Sequence, residues 1–250
     1  MGVSWSLGAW LPVLRRLPTE SGPRESGASI ALSIDDAPNP DTTPVLLDLL
    51  EQFGATATFF LSGCRAEPHQ DIVADIVRRG HPIYAHGWEH IRLDKAGPQR
   101  LIADMSRCEA LLARFRPTPS PYLVRLPQNG GYRNAVVHKA LAAWMPGCQF
   151  AHWGASTEDH LISPRCTEDK DVEPECRREI DRLMADPRLP GAILLLHDQP
   201  INDRPGARFK AATTITLTRL LLEGLAARNL ATAPIIPATG QAWWSRFALV

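Results

Sequence analysis

The sequence predicts an α/β chain with parallel strands, curled into a distorted (β/α) barrel of about seven strands. Three observations lead there. Short apolar runs alternate with segments of helical periodicity along most of the chain, a pattern that right-handed crossovers turn into a parallel sheet. Polar clusters stand where the apolar runs stop: Asp35-Asp36, His86 with His90, Arg125, Asp159, and His197-Asp198. The carboxyl ends of strands are where α/β folds gather ligands. No repeat or compositional break divides the chain.

Residues 1–27 stand apart. Their apolar stretch is followed, not preceded, by Arg15 and Arg16. That is the wrong order for a secretory leader, and the stretch is too short to cross a bilayer. The MGxxxS start is a weak match to a myristoylation site. The expectation is a segment packed on the domain or touching a partner, with 19–27 as a polar linker. A single domain over 28–250 follows, in a cytoplasmic protein.

Within that domain 29–34 is an apolar strand ending at the acidic pair. Pro38 and Pro40 stop it, and Thr42 or Thr43 is placed to cap a helix running to Phe53 with Pro44 in its first turn. Residues 55–61 (ATATFFL) form a second strand. A helix over 70–79 carries Ile72, Val73, Ile76 and Val77 on one face and stops at Gly80. HPIYAH is a third strand. The helix over 99–115 has the stripe Leu101, Ile102, Met105, Cys108, Leu111 and Leu112. Then come the short strand YLVR, a helix over 134–144, the strand CQFAHW, and a charged, proline-containing loop over 161–175. A helix over 177–186, a strand over 192–196, a long helix over 213–228 and the strand ATAPII complete the order.

The 250 residues are 44% hydrophobic and 22% charged, with a formal net charge of zero. This is an ordinary globular composition with no general attraction to nucleic acid or an anionic membrane surface. A neutral glycan or a small molecule is the better partner. The five cysteines are odd in number and contain no CxxC, which argues against a disulfide framework or a cysteine zinc site. Cys166 and Cys176 are read as surface thiols in a reducing compartment, with a disulfide between them as the alternative.

His86 and His90 are four residues apart, the spacing that puts two imidazoles on one face of a helical turn. Surface histidines show the same spacing. The position after a predicted strand favours a metal pair, completed by a carboxylate from another strand end. Two adjacent buried acids are costly unless paired or metal-bound. Arg125 at a strand end is either a surface cation or a fixed guanidinium holding a carboxylate. A contact between His197 and Asp159 would fix the imidazole tautomer.

Taken in order, these residues resemble the polysaccharide deacetylases with a NodB homology domain, carbohydrate esterase family 4, over roughly 28–236. The family's TFDDGP appears as SIDDAP, its H(S/T)xxH as HGWEH, its RxPY as RLPQ, its tryptophan followed by DW as Trp153 with Asp159-His160, and its LxHD as LLHD. The resemblance implies a NodB-type fold and hydrolysis of an N-acetyl or related acyl group from an amino sugar. It implies Asp35 as catalytic base, tethered by Arg125, and His197 as catalytic acid, tuned by Asp159. Asp36, His86 and His90 become ligands of a divalent metal, zinc with cobalt or nickel as alternatives. Gln128, Trp153 and His160 become substrate contacts, the Gln128 backbone N–H facing the oxyanion.

Four departures stand out: Ala37 for glycine, Gly87 for a hydroxyl residue, Gln128 for an aromatic, and His160 for tryptophan. They point to an altered substrate. Two rivals are hydrolysis of a small amide, such as deformylation, and a non-catalytic glycan- or partner-binding module with a relict site.

Overall fold

The computed structural model describes residues 10–17, 29–202 and 204–238. The expected linker over 19–27 and the first nine residues lie outside them. The central strand β2 (Ser29–Ala37) is buried along nearly its whole length, as a strand covered on both faces must be. It pairs with β3 (Thr58–Leu61), β8 (Ile193–His197) and, at its start, β9 (Ala231–Ala233). With β4 (Ile83–Ala85) and β7 (Ala155–Ser156) the order is β4-β3-β2-β8-β7. A second sheet runs β1-β6-β5, from β1 (Val13–Leu14), β6 (Gln149–Ala151) and β5 (Leu123–Val124). Every ladder between these strands is parallel.

The barrel is therefore open, formed by two sheets. One seam is crossed by Tyr122, whose hydroxyl accepts from Ala85 N at 3.0 Å. The other is crossed by the N-terminal residues. Phe150 N donates to Pro12 O at 2.7 Å, Ile193 N to Arg15 O at 3.0 Å, and Leu17 N to Gly191 O at 2.8 Å. Residues 12–17 thus stitch β6 to the start of β8 as part of the sheet.

Helices α1 (Thr43–Gln52), α3 (Gln70–Arg78), α4 (Pro98–Leu112), α5 (Ala135–Trp144), α6 (Val172–Met184) and α7 (Lys210–Ala227) cover the sheets, with the single-turn α2 (Gly63–Ala66) at the end of β3. Leu46, Leu47 and Leu50 of α1 and Ile76 of α3 are fully buried, as are Leu217 and Leu221 of α7.

Three expectations need correction. Thr42 does not cap α1 with its hydroxyl; Thr42 and Thr43 donate instead to the buried Asp198 carboxylate, which has a stronger claim on donors than a helix end that water can reach. Residues 161–175 are not one loop. Tight turns at Asp159–Leu161, Ser163–Arg165 and Asp169–Asp171 lead into α6, which begins at Val172. Pro174 lies in its first turn, where a missing N–H costs nothing. Cys166 and Cys176 are neither surface thiols nor a disulfide; both are free and buried.

Candidate active site

The acidic pair closes β2. Asp35 is in register with Phe60 of β3 and His197 of β8, and the ladder to β3 then slips before Ala37. Asp36 takes the extra place with φ of 69°. Such a bulge re-aims a side chain that strict alternation would send to the opposite face. Both carboxylates consequently reach the same imidazole: His86 Nε2 lies 3.8 Å from Asp35 Oδ2 and 3.5 Å from Asp36 Oδ1.

His86 and His90 do not share a helical turn. The segment after β4 is irregular, and Gly87 and His90 have φ of 78° and 53°. A left-handed step at Gly87 suits a residue without Cβ. The loop is pinned by Trp88, whose N donates to Asp104 Oδ1 at 2.6 Å and whose ring carries the Arg107 guanidinium at 3.6 Å. Asp104 thus braces the loop that has glycine, not a hydroxyl residue, at 87. The result still brings both imidazoles to one point, with His90 Nε2 3.0 Å from Asp36 Oδ1. His86 Nδ1 faces Arg125 O at 2.9 Å, so its proton sits there and Nε2 is the free lone pair.

Arg125 is buried among acceptors. Its Nη1 donates to Asp35 Oδ1 at 2.7 Å and Ser33 Oγ at 2.8 Å, and its Nε to Ala151 O at 2.6 Å. The guanidinium lies 4.3 Å over the Phe60 ring. A planar fork fixed at this many points holds the Asp35 carboxylate in one place.

Asp159 grips His197 twice, accepting from its Nδ1 at 2.8 Å and from its backbone N at 2.6 Å. Burial disfavours the imidazolium, but Asp159 first, then Asp36 and Asp35, outweigh it and raise the His197 pKa to about 10. Asp36 shows the converse. Burial raises its pKa, yet the contact with His90 and the charges of His90, His197 and His86 hold it well below the usual carboxylate range.

The donor set fits a divalent cation. Ligand atoms of Asp36, His86 and His90 lie within 4.8 Å of one another, all three residues buried. Asp36 Oδ2 accepts from Ile201 N at 2.7 Å, whereas Asp36 Oδ1 is buried with no hydrogen-bond partner. A buried carboxylate oxygen facing two imidazole nitrogens without a proton donor is what a ligand atom looks like.

The sequence matches the polysaccharide deacetylase family over residues 22–144. It is 29% identical to a peptidoglycan-N-acetylglucosamine deacetylase of Bacillus cereus over 194 residues, covering 78% of this chain and 80% of that protein. It is equally 29% identical to a chitooligosaccharide deacetylase of Sinorhizobium fredii over 215 residues, covering 84% and 91%. The chain is thus similar in sequence to polysaccharide deacetylases along most of its length. Its fold is shared with the chitin deacetylase of Colletotrichum lindemuthianum, at a TM-score of 0.68 and 22% identity over 90% of this chain and 89% of that one. It is likewise shared with a family 4 carbohydrate esterase of Streptomyces lividans, at 0.66 and 22% over 86% and 96%.

This polysaccharide deacetylase fold gathers every sequence-predicted residue around one cleft of about 940 Å³. Asp35, Asp36, His86, His90, Gln128, Trp153, His160 and His197 line it, and Arg125 and Asp159 stand directly behind Asp35 and His197. Gln128 is held by a contact from its Nε2 to His90 O at 3.3 Å. The His160 ring stands 6.1 Å from that of His197.

Sequence reasoning missed Asn129, Arg65 and the stretch Gln199–Asn202, which also line the cleft. Arg65 donates from Nη1 to Asp36 O and Asp198 O, tying the ends of β2 and β8 together. Asp198 carried a signal but no assigned role. It is fully buried under the two threonine hydroxyls, and burial pushes its pKa up to about 6. Arg65 and Gln199–Asn202 all follow strand ends, the one signal that could have found them.

Proposed function

We propose that this protein is a metal-dependent hydrolase that removes an N-acetyl group from an amino sugar in a glycan or glycoconjugate. The observation that carries the reading is the convergence of the Asp36, His86 and His90 ligand atoms with two separately braced proton-transfer groups, Asp35 on Arg125 and His197 on Asp159. Relatives named as peptidoglycan and chitooligosaccharide deacetylases support the same chemistry.

Asp36, His86 and His90 would hold the divalent ion. Zinc suits two imidazoles and a carboxylate, with cobalt or nickel as alternatives. When bound, the ion supplies Lewis acidity toward an acyl oxygen and water. Asp35, oriented by Arg125, takes the proton from the attacking water. The backbone N–H of Gln128, from its place in the third motif, donates to the oxygen on which charge develops. His197, charged at neutral pH through Asp159, donates its proton to the departing amine. An intact proton-transfer set is inconsistent with a relict binding site.

Gln128 and His160 replace aromatic residues of the family pattern, so two groove walls are polar. Together with Trp153, which offers a ring face to a sugar, they favour a short or decorated amino sugar over long, uniform chitin-like chains. Acetate release from N-acetylated saccharides by the zinc-loaded protein, lost in Asp35→Asn, is the expected result. Release from small amides alone, with none from any N-acetylated saccharide, would overturn the reading. Faster turnover of long chitin oligomers than of every short amino sugar would overturn the substrate preference.

A further inference from the structure

We propose that Asn129 is a specificity-determining residue: His152 holds its side-chain amide with the oxygen inward, so that the nitrogen faces the cleft and donates to an acceptor oxygen of the bound saccharide. The nature of the ligand rests on the deacetylase reading above; the orientation of the amide rests on the fold alone.

His152 follows β6 and is buried. Its Nδ1 receives the backbone N–H of Trp153 at 2.8 Å and lies 3.0 Å from Arg15 Nη1. Trp153 O also stands 3.2 Å from Nδ1, the longest of the three contacts, and has a donor of its own in Arg15 Nη1 at 3.3 Å; a peptide N–H and a guanidinium can only donate, so Nδ1 is the acceptor nitrogen and the ring proton is on Nε2. Burial outweighs the Trp153 carbonyl and, with the charges of Arg15, Arg125 and Arg133, holds the His152 pKa down to about 4, in keeping with that neutral form. Nε2 lies 2.8 Å from Asn129 Oδ1, so the N–H donates to the amide oxygen.

An amide whose oxygen is taken from within turns its NH2 group the other way. Asn129 is exposed and lines the cleft beside Gln128 and Trp153. Among the described residues no group accepts from Asn129 Nδ2. The ring that orients it is itself immobilised, stacked on Trp153 at 4.1 Å and 18° and edge-on to Tyr132 at 4.3 Å. One buried histidine therefore sets both a flat apolar wall and a polar donor next to it. That is the pairing a saccharide presents, with a ring face and hydroxyl, ring or glycosidic oxygens at its rim.

Asn129 also has φ of 55°, a region in which asparagine and glycine are both at home. If backbone conformation were its only role, glycine would serve equally well, and this separates the two accounts. The experiment uses the zinc-loaded full chain with an N-acetylglucosamine tetramer. Affinity is measured by calorimetry in an Asp35→Asn background, where turnover does not interfere, and kcat and KM are measured in the otherwise native protein. Asn129→Gly and Asn129→Asp should each weaken binding and raise KM about three- to tenfold, the size of one lost hydrogen bond, with metal content and kcat little changed.

His152→Phe should move KM in the same direction, and should add nothing in the Asn129→Gly background if it acts through the amide. His152→Gln keeps one acceptor and one donor, and should restore part of the loss. Asn129→Gly binding as tightly as the parent overturns the proposal. Equal losses from His152→Phe with and without the Asn129 side chain overturn the positioning role. If His152→Phe does not fold, the exposed Asn129 pair still decides the main claim. A parent protein that binds the tetramer but releases acetate from no N-acetylated saccharide overturns the deacetylase reading while leaving Asn129 measurable. One that neither binds the tetramer nor releases acetate from any N-acetylated saccharide overturns both.

Discussion

Replacing Asp159 with asparagine should move the titration of His197 by several pH units. Asp159 serves three donors: Oδ1 faces His197 Nδ1 and His160 N, each at 2.8 Å, and Oδ2 faces His197 N at 2.6 Å. Asparagine has one acceptor oxygen for these three, and no charge. The rise of His197 from 6.5 to about 10 corresponds to about 5 kcal/mol at about 1.4 kcal/mol per pH unit. Unit charges 2.8 Å apart attract by about 6 kcal/mol at an effective dielectric constant of about 20. The attraction must also offset the burial that opposes the imidazolium, so Asp159 supplies the largest favourable share of the rise and Asp36 and Asp35 add to it.

In metal-free Asp159→Asn, His197 should therefore titrate near or below 6.5, followed by NMR of its ring signals. His197 has a folded-state pKa above its unfolded value, so its contribution to stability is fully present below about 6.5 and is lost as pH rises through about 10. Urea unfolding should show the variant less stable by about 3–5 kcal/mol at pH 6, with the gap narrowing toward pH 10. In the active enzyme the alkaline limb of the rate profile should move to lower pH. A variant whose His197 still titrates near 10 would refute this reasoning and assign the charge to Asp36 and Asp35.

Asp36→Ala or His90→Ala should strip the metal, since a three-ligand site cut to two binds far more weakly; full occupancy by elemental analysis would remove that residue from the ligand set. Asp35→Asn should keep the metal and lose about 10²–10⁴-fold in turnover. Metal loss there, with retention in Asp36→Asn, would exchange the two roles. Gly63→Ala should cost about 1–3 kcal/mol and weaken metal binding, because its Cβ would enter the Trp88 ring that anchors the ligand loop; unchanged melting and metal affinity would show that Trp88 does not position His86 and His90.

Much of the site was legible because chemistry confines it to a few residue types at strand ends. Asp35, Asp36, His86, His90, Arg125, Asp159 and His197 all meet as their places in the pattern implied. The way they meet was not legible. Spacing of four made His86 and His90 look like neighbours on a helix, whereas a looped segment pinned by Trp88 and Asp104 brings them together. Asp104 lies on α4, a contact between distant parts of the chain with no local signature.

By itself the sequence determined the alternation of strands and helices, the parallel sheet and the set of polar residues offered at the strand ends, because hydrophobic periodicity and donor type are local properties. Only the tertiary structure decided three things. The bulge at Asp36 turns two successive carboxylates into one mouth. The sheets stay apart as an open barrel, with residues 12–17 stitched across one seam. His152, inconspicuous in sequence, becomes the buried support of the groove wall. Each depends on hydrogen bonds between residues far apart in the chain, and such pairings are set by the packing that brings the partners within reach.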